Sequence, residues 1–239
     1  MKPQTLLLWD IDGTLIWTGG AGIEALNRTI REVFRIPVKT ILGEVDVAGR
    51  TDIFIIKSIF RKFHIPLTGH NIHRFTEGYV ERLPAELHAR PGRVLNGIRD
   101  ILERADAQPD LVQGLLTGNL RRSALLKLTH YGIRRYFRLG AFGDRCESRN
   151  QLARNALRTA RRQFPGAFVP SRVFVIGDTP HDIRCGQALG AQTIAVATGT
   201  YGLRELKACN PTALFRDFRR PDPFFQLLDT HDWNGKTKS

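Results

Sequence analysis

The sequence is short of cysteine, of acid relative to base, and of long apolar runs. Its three cysteines, Cys146, Cys185 and Cys209, lie far apart among 239 residues with no CxxC spacing. An odd count without a secretory segment argues against a disulfide scaffold and for a reducing, cytoplasmic setting. No stretch approaches the ~18 apolar residues that a membrane span needs. At the amino end Leu6 to Trp9 is cut off by Asp10, too short for the apolar core of a signal peptide. No internal repeat and no low-complexity segment is visible.

What is present is ordinary in bulk. Apolar residues make up 42% and charged residues 25%, the usage of a globular chain that needs no covalent staple. The length allows one large domain or a core with a smaller insert. Acidic residues number 23 against 36 basic ones, a formal net charge of +13. Such a balance raises nucleic acid as a partner, through Arg121–Arg122, Arg134–Arg135, Arg161–Arg162 and Arg219–Arg220. These pairs are scattered and not interleaved with aromatics. They read as a solvated surface that steers anionic substrates inward.

Continuous apolar runs occur at Leu6 to Trp9, Leu111 to Leu116, Val173 to Ile176 and Thr193 to Ala197, with a less definite one at Leu139 to Phe142. Runs of that length read as strands buried on both faces. Helical periods lie between them: Val94, Ile98, Ile101 and Leu102, then Leu152, Ala156, Leu157 and Ala160. Alternation of strand and helix predicts an α/β fold with a doubly wound parallel sheet, whose ligand sits beyond the carboxyl ends of the strands. From Trp17 to Ala89 the alternation stops. Helical periods appear there at Ile23–Phe34, Ile53–Phe63 and Phe75–Leu83, with Pro84 expected to stop or kink the third. The expectation is a catalytic core of residues 1–16 and 90–239 and a helical cap of residues 17–89.

The strand ends carry the chemistry. The first closes on Asp10–Ile11–Asp12–Gly13–Thr14, which puts two carboxylates on one side of an extended chain. They repel unless a cation or proton intervenes, and Mg²⁺ held by carboxylates plus a substrate phosphate meets that need. Gly13 lets the backbone approach a phosphate. The second strand closes on Thr117–Gly118–Asn119, with Asn119 suited to cap the next helix and leave backbone donors for an anion. Ser148 and Gln151 form a capping-box pattern that puts Arg149 in a first helical turn, where a cation is out of place without a nearby anion. The last strand closes on Gly177–Asp178–Thr179–Pro180–His181–Asp182. Thr179 suits an N-cap, Pro180 the first helical position and Asp182 the third, while Asp178 serves no cap and reads as a further oxygen donor to the metal.

Together these residues resemble the haloacid dehalogenase superfamily, in the branch of phosphoglycolate phosphatases and beta-phosphoglucomutases. The resemblance runs through Asp10-x-Asp12-Gly13-Thr14, Thr117, Arg149 and Gly177-Asp178-x3-Asp182, and extends to about Leu214. That branch usually has Lys–Pro where this chain has Arg149–Asn150; the charge is kept, though Arg and Lys are different donors. The resemblance implies that Asp10 attacks phosphorus, that Asp12 is the acid and base, and that Thr14 orients the Asp12 carboxyl. It implies Mg²⁺ on Asp10, the Asp12 carbonyl and Asp178 with Asp182 in support, and a phosphoryl group bound by Thr117 and Arg149. The presence of Asp12 argues against dehalogenation, since a carbon–halogen bond leaves no oxygen to protonate. Gly49–Arg50–Thr51–Asp52 precedes the second cap helix, where Arg50 is placed to reach a further anionic group.

The implied activity is Mg²⁺-dependent hydrolysis of small phosphorylated metabolites. A phosphomutase, with a sugar phosphate replacing water, is the rival enzyme. A catalytically idle basic binding protein is the rival of another class.

Overall fold

In a computed structural model, which describes residues 4–164 and 168–230, the first apolar run becomes β1 (Thr5–Trp9), buried along its length. It pairs in parallel with β4 (Leu111–Leu116) on one side and β6 (Val173–Gly177) on the other. β5 (Leu139–Ala141) extends the sheet beyond β4, and β7 (Gln192–Val196) and β8 (Ala213–Phe215) extend it beyond β6. The six-stranded order is β5-β4-β1-β6-β7-β8. Because the chain winds outward in both directions from β1, the crevice for a ligand opens at the carboxyl ends of β1, β4 and β6. Crossovers run through α4 (Ile98–Asp106), α5 (Arg121–His130), α6 (Arg149–Gln163), α7 (Pro180–Gln187) and α8 (Leu203–Lys207), and α9 (Asp222–Thr230) follows β8.

Between β1 and β4 the chain inserts α1 (Ala21–Val33), α2 (Asp52–Lys62) and α3 (Gly69–Ala89). The antiparallel pair β2 (Ile16–Trp17) and β3 (Arg93–Val94) ties together the points where the chain leaves and returns. Each inserted helix buries a stripe at three- and four-residue steps: Ala25, Leu26 and Ile30 on α1, then Ile56, Ile59 and Phe60 on α2. Phe34, Phe60 and Phe75 meet with ring centroids 5.6–5.7 Å apart and join the three helices, each contact adding about 0.5–1.5 kcal/mol beyond its buried area. One apolar cluster runs from Leu7 and Trp9 on the sheet to Ile30, Phe60 and Phe75.

Two features differ from what the periodicity predicts. Pro84 lies inside α3 and does not end it; the helix continues because Leu83, Glu86 and Leu87 go on burying the same face, which offsets the backbone hydrogen bond that proline forfeits. The β2–β3 pair and β8 were not expected, since elements of two or three residues are too short to display a period. No helix among the described residues is long and apolar enough to cross a membrane.

Candidate active site

Residues after β1, β4 and β6, and at the start of α6, converge where the winding predicts. Carboxylate oxygens of Asp10, Asp178 and Asp182 lie within 4.8 Å of one another, and all three residues are buried. Arg149 opens α6 and is buried as well; its guanidinium lies 3.0 Å from Asp10 Oδ1 and also pairs with Asp182. These anions account for an arginine at a helix start, against the dipole. Ser148 is the N-cap, but its side chain makes no capping hydrogen bond, so the expected box is absent.

Asp182 has both oxygens engaged. One pairs with Arg149, and the other accepts from Thr179 N at 3.1 Å and Thr179 Oγ1 at 2.7 Å. With Asp182 N donating back to Thr179 Oγ1 at 3.4 Å, the Thr179 N bond completes the capping box of α7, with Pro180 at its start, as the sequence suggests. Asp178 rests between Gly13 and Gly199, where an added Cβ would lie 2.4 Å and 1.7 Å from its Oδ2. Thr14 donates to Asp178 Oδ1 at 3.0 Å. The expectation that Thr14 orients Asp12 is therefore corrected: Gly13, at φ 80°, turns the chain after Asp12 and aims Thr14 at the end of β6.

Asp12 faces a different set. Its Oδ2 accepts from Lys127 Nζ at 2.6 Å and from Asn119 Nδ2 at 2.8 Å. Asn119 is not the cap of α5, a place taken by Leu120; its amide also donates to Thr117 Oγ1 at 2.9 Å. Thr117 is fully buried behind it, off the cavity wall. The helix-start donors expected to meet an outside anion are held by the protein's own acids. Leu120 N donates to Asp52 Oδ2 at 2.7 Å and Arg121 N to Asp144 Oδ2 at 3.0 Å.

Lys127 and Asp52 escaped the sequence reading. Lys127 is 4% exposed although charged, and Asn119 Oδ1 accepts from its Nζ at 2.5 Å. The signal was its place on the buried face of α5, three residues after Ala124 and next to Leu128. Asp52 sits in the first turn of α2, and only folding brings it to α5. Arg50 lines the cavity but pairs with Asp46 at 2.7 Å and lies over the Phe54 ring at 4.7 Å.

The electrostatics favour a cation among the acids. Burial pushes Asp10 up to about 6, against the pull of Arg149 and with added repulsion from Asp182 and Asp12. Burial, then Asp10 and Asp182, push Asp178 well above the carboxylate range. Burial works against the Arg149 charge, but Asp182 and Asp10 outweigh it and raise its pKa. Burial likewise opposes the Lys127 charge, and Asp12, Tyr79 and Asp52 restore it. Crowded carboxylate oxygens suit a hard divalent ion. The buried Arg149 Nε has no protein partner, which leaves a donor for an anion. A cavity of about 390 Å³ opens over Asp10, Asp12, Gly13, Gly118, Asn119, Arg149 and Asp178.

The class to which the chain belongs is that of the haloacid dehalogenase-like hydrolases, whose family model matches residues 7–196. The chain is 27% identical over 224 residues to a phosphoglycolate phosphatase of Agrobacterium fabrum, covering 91% of each chain. Among solved structures, a hydrolase from Pseudomonas syringae superposes with a TM-score of 0.72 at 18% identity, over 94% of this chain and 99% of that one. A predicted phosphoglycolate phosphatase from Haemophilus somnus 129PT does so at 0.71 and 17%, over 95% and 100%. At such identities the structural likeness speaks for the fold.

Proposed function

We propose that the protein hydrolyses small phosphate monoesters through an aspartyl-phosphate on Asp10. The observation that carries this reading is the Asp10 carboxylate itself: buried at the end of the central strand, 3.0 Å from Arg149, and open to the cavity beside Asp12. An Asp10 oxygen bonds to phosphorus as the ester P–O bond breaks, and Asp12 gives its proton to the departing alcohol oxygen. Water then attacks phosphorus and loses a proton to Asp12; phosphate leaves and Asp10 is restored. Asp12 suits this exchange because its side chain is 42% exposed while Lys127 and Asn119 hold one of its oxygens in place. Arg149 offsets charge on the transferring phosphoryl oxygens, and Gly118 and Asn119 border them.

Asp10, Asp178 and the Asp12 carbonyl would hold Mg²⁺, with Asp182 anchoring Arg149 behind them, and the ion would neutralise charge where phosphate and carboxylate meet. Residues 17–89 act as the cap over the core of residues 1–16 and 90–239, joined to it by Asp52 N donating to Gly118 O at 2.7 Å. Such a cap excludes water and large substrates. The free thiols of Cys146, Cys185 and Cys209 fit a cytoplasmic enzyme of soluble metabolites.

The test is phosphate release from a panel of phosphorylated metabolites with Mg²⁺, for wild type and Asp10→Asn, followed by phosphorus NMR. Release that requires both metal and Asp10 supports the reading. Isomerised sugar phosphate without net phosphate release points to the mutase, and no turnover on any ester ends the proposal.

A further inference from the structure

The cavity does not end at the carboxylates. Beyond them, on the side of the inserted helices, its wall turns apolar with Trp17, Ile23, Leu26, Leu42 and Val47. Trp17 is 47% exposed and Leu42 53%, and they are two of only four large hydrophobic side chains so exposed among the described residues. Both stand in this one cavity. Single exposed hydrophobics mean little, but a pair continuous with a charged site points to a ligand with an apolar part.

The charges on the wall agree. Arg149 is engaged by Asp10 and Asp182, and Lys127 by Asp12, so both belong to the phosphoryl end. Arg50 pairs with Asp46. Asp52, buried and facing the same cavity, would repel a second anion brought near it. The space of about 390 Å³ lies within the range of sites that enclose whole small molecules, larger than a two-carbon leaving group requires.

We propose that the leaving alcohol of the natural substrate is uncharged and carries a ring or branched apolar body, covered by Trp17 and Leu42, and that esters with a second anionic group are the poorer substrates. This rests on the phosphatase reading above. The rival assignment gives Arg50 to a second anion; it requires Arg50 to leave Asp46, a partly exposed pair of the kind that separates at little cost, so measurement must separate the two.

The experiment measures kcat/KM of the full chain with Mg²⁺ for 2-phenylethyl phosphate, methyl phosphate and 2-phosphoglycolate, with p-nitrophenyl phosphate as a check on turnover itself. The expected result is a preference of about tenfold or more for 2-phenylethyl phosphate over 2-phosphoglycolate, the discrimination an apolar pocket supplies. Trp17→Ala, and separately Leu42→Ala, should each cut the phenylethyl-to-methyl ratio of kcat/KM several-fold, chiefly through KM. Because the ratio is taken within one variant, loss of folded protein cancels, and Leu42 lies in a loop outside helix and sheet. Preference for 2-phosphoglycolate that disappears in Arg50→Met would overturn the proposal, as would a ratio unmoved in both alanine variants; in either case phosphatase activity itself would stand. No phosphate release from any of the four esters would sink this inference and the phosphatase reading together.

Discussion

Lys127 Nζ lies 2.6 Å from Asp12 Oδ2, and the lysine is almost wholly buried while the aspartate is not. The pair therefore has one end fixed in the protein and the other turned to the cavity. If Asp12 passes a proton to the leaving oxygen, Lys127 sets the direction in which its free oxygen points. Lys127→Met should lower kcat about 10²-fold on alkyl phosphates, within the range that acid–base help contributes. The loss on p-nitrophenyl phosphate, whose leaving group needs little protonation, should be several-fold smaller. Equal losses on both esters would remove Lys127 from proton transfer and leave it a structural role.

Arg149 is the cation of a buried cluster, so its removal strands like charges. Arg149→Met is expected to cost about 3–5 kcal/mol of stability at neutral pH, read from urea unfolding. Added Mg²⁺ should return part of that loss by binding the folded form. Arg149→Lys keeps the charge but not the fork, and should retain most of the stability with a clear drop in turnover. A methionine variant as stable as wild type would contradict this account.

Gly199 is required by a neighbour more than by its own backbone. An added Cβ would stand 1.7 Å from Asp178 Oδ2, so Gly199→Ala must displace the carboxylate or the loop. The magnesium concentration for half-maximal activity should rise about tenfold or more, the scale seen when groups supporting a metal ligand are disturbed. Gly69→Ala serves as the control, since nothing lies within 4 Å of its added Cβ. An unchanged magnesium titration in Gly199→Ala would speak against Asp178 as a ligand.

Asp52 makes stability depend on pH. Burial pushes its carboxyl from 3.8 up to about 6, although Lys127 and Leu120 N pull it down. A folded pKa above the unfolded value favours the folded state while the acid is protonated, and that contribution is lost as pH rises from about 4 through about 6. Asp52→Asn keeps an acceptor for Leu120 N and has no proton to lose. Between pH 4 and pH 7 wild type should lose about 1–3 kcal/mol relative to the variant, measured by urea unfolding at both pH values. A constant gap would refute it.

The strand-end acids were legible because their positions follow from local rules. A buried apolar run must be followed by something polar, and Asp10, Asp12 and Asp178 stand at the first polar positions after β1 and β6. The capping box at Thr179 and Asp182 could also be read, since its partners are three residues apart. By contrast, local position makes Asn119 a helix cap and the family resemblance points Thr14 at Asp12, whereas the two side chains bond residues more than 100 positions away, Asp12 and Asp178.

The sequence by itself determined the alternation of strands and helices and the set of charged side chains at the strand ends. Both depend on periodicity and neighbours along the chain, which the backbone enforces locally. Tertiary structure alone decided that Lys127 reaches Asp12, that Asp52 ties α2 to α5, and that Trp17 and Leu42 share a wall with the acids. The first two join the β1-to-β4 connection to the β4-to-β5 connection, and the third brings together residues 25 positions apart in one connection; in every case only packing sets the separation.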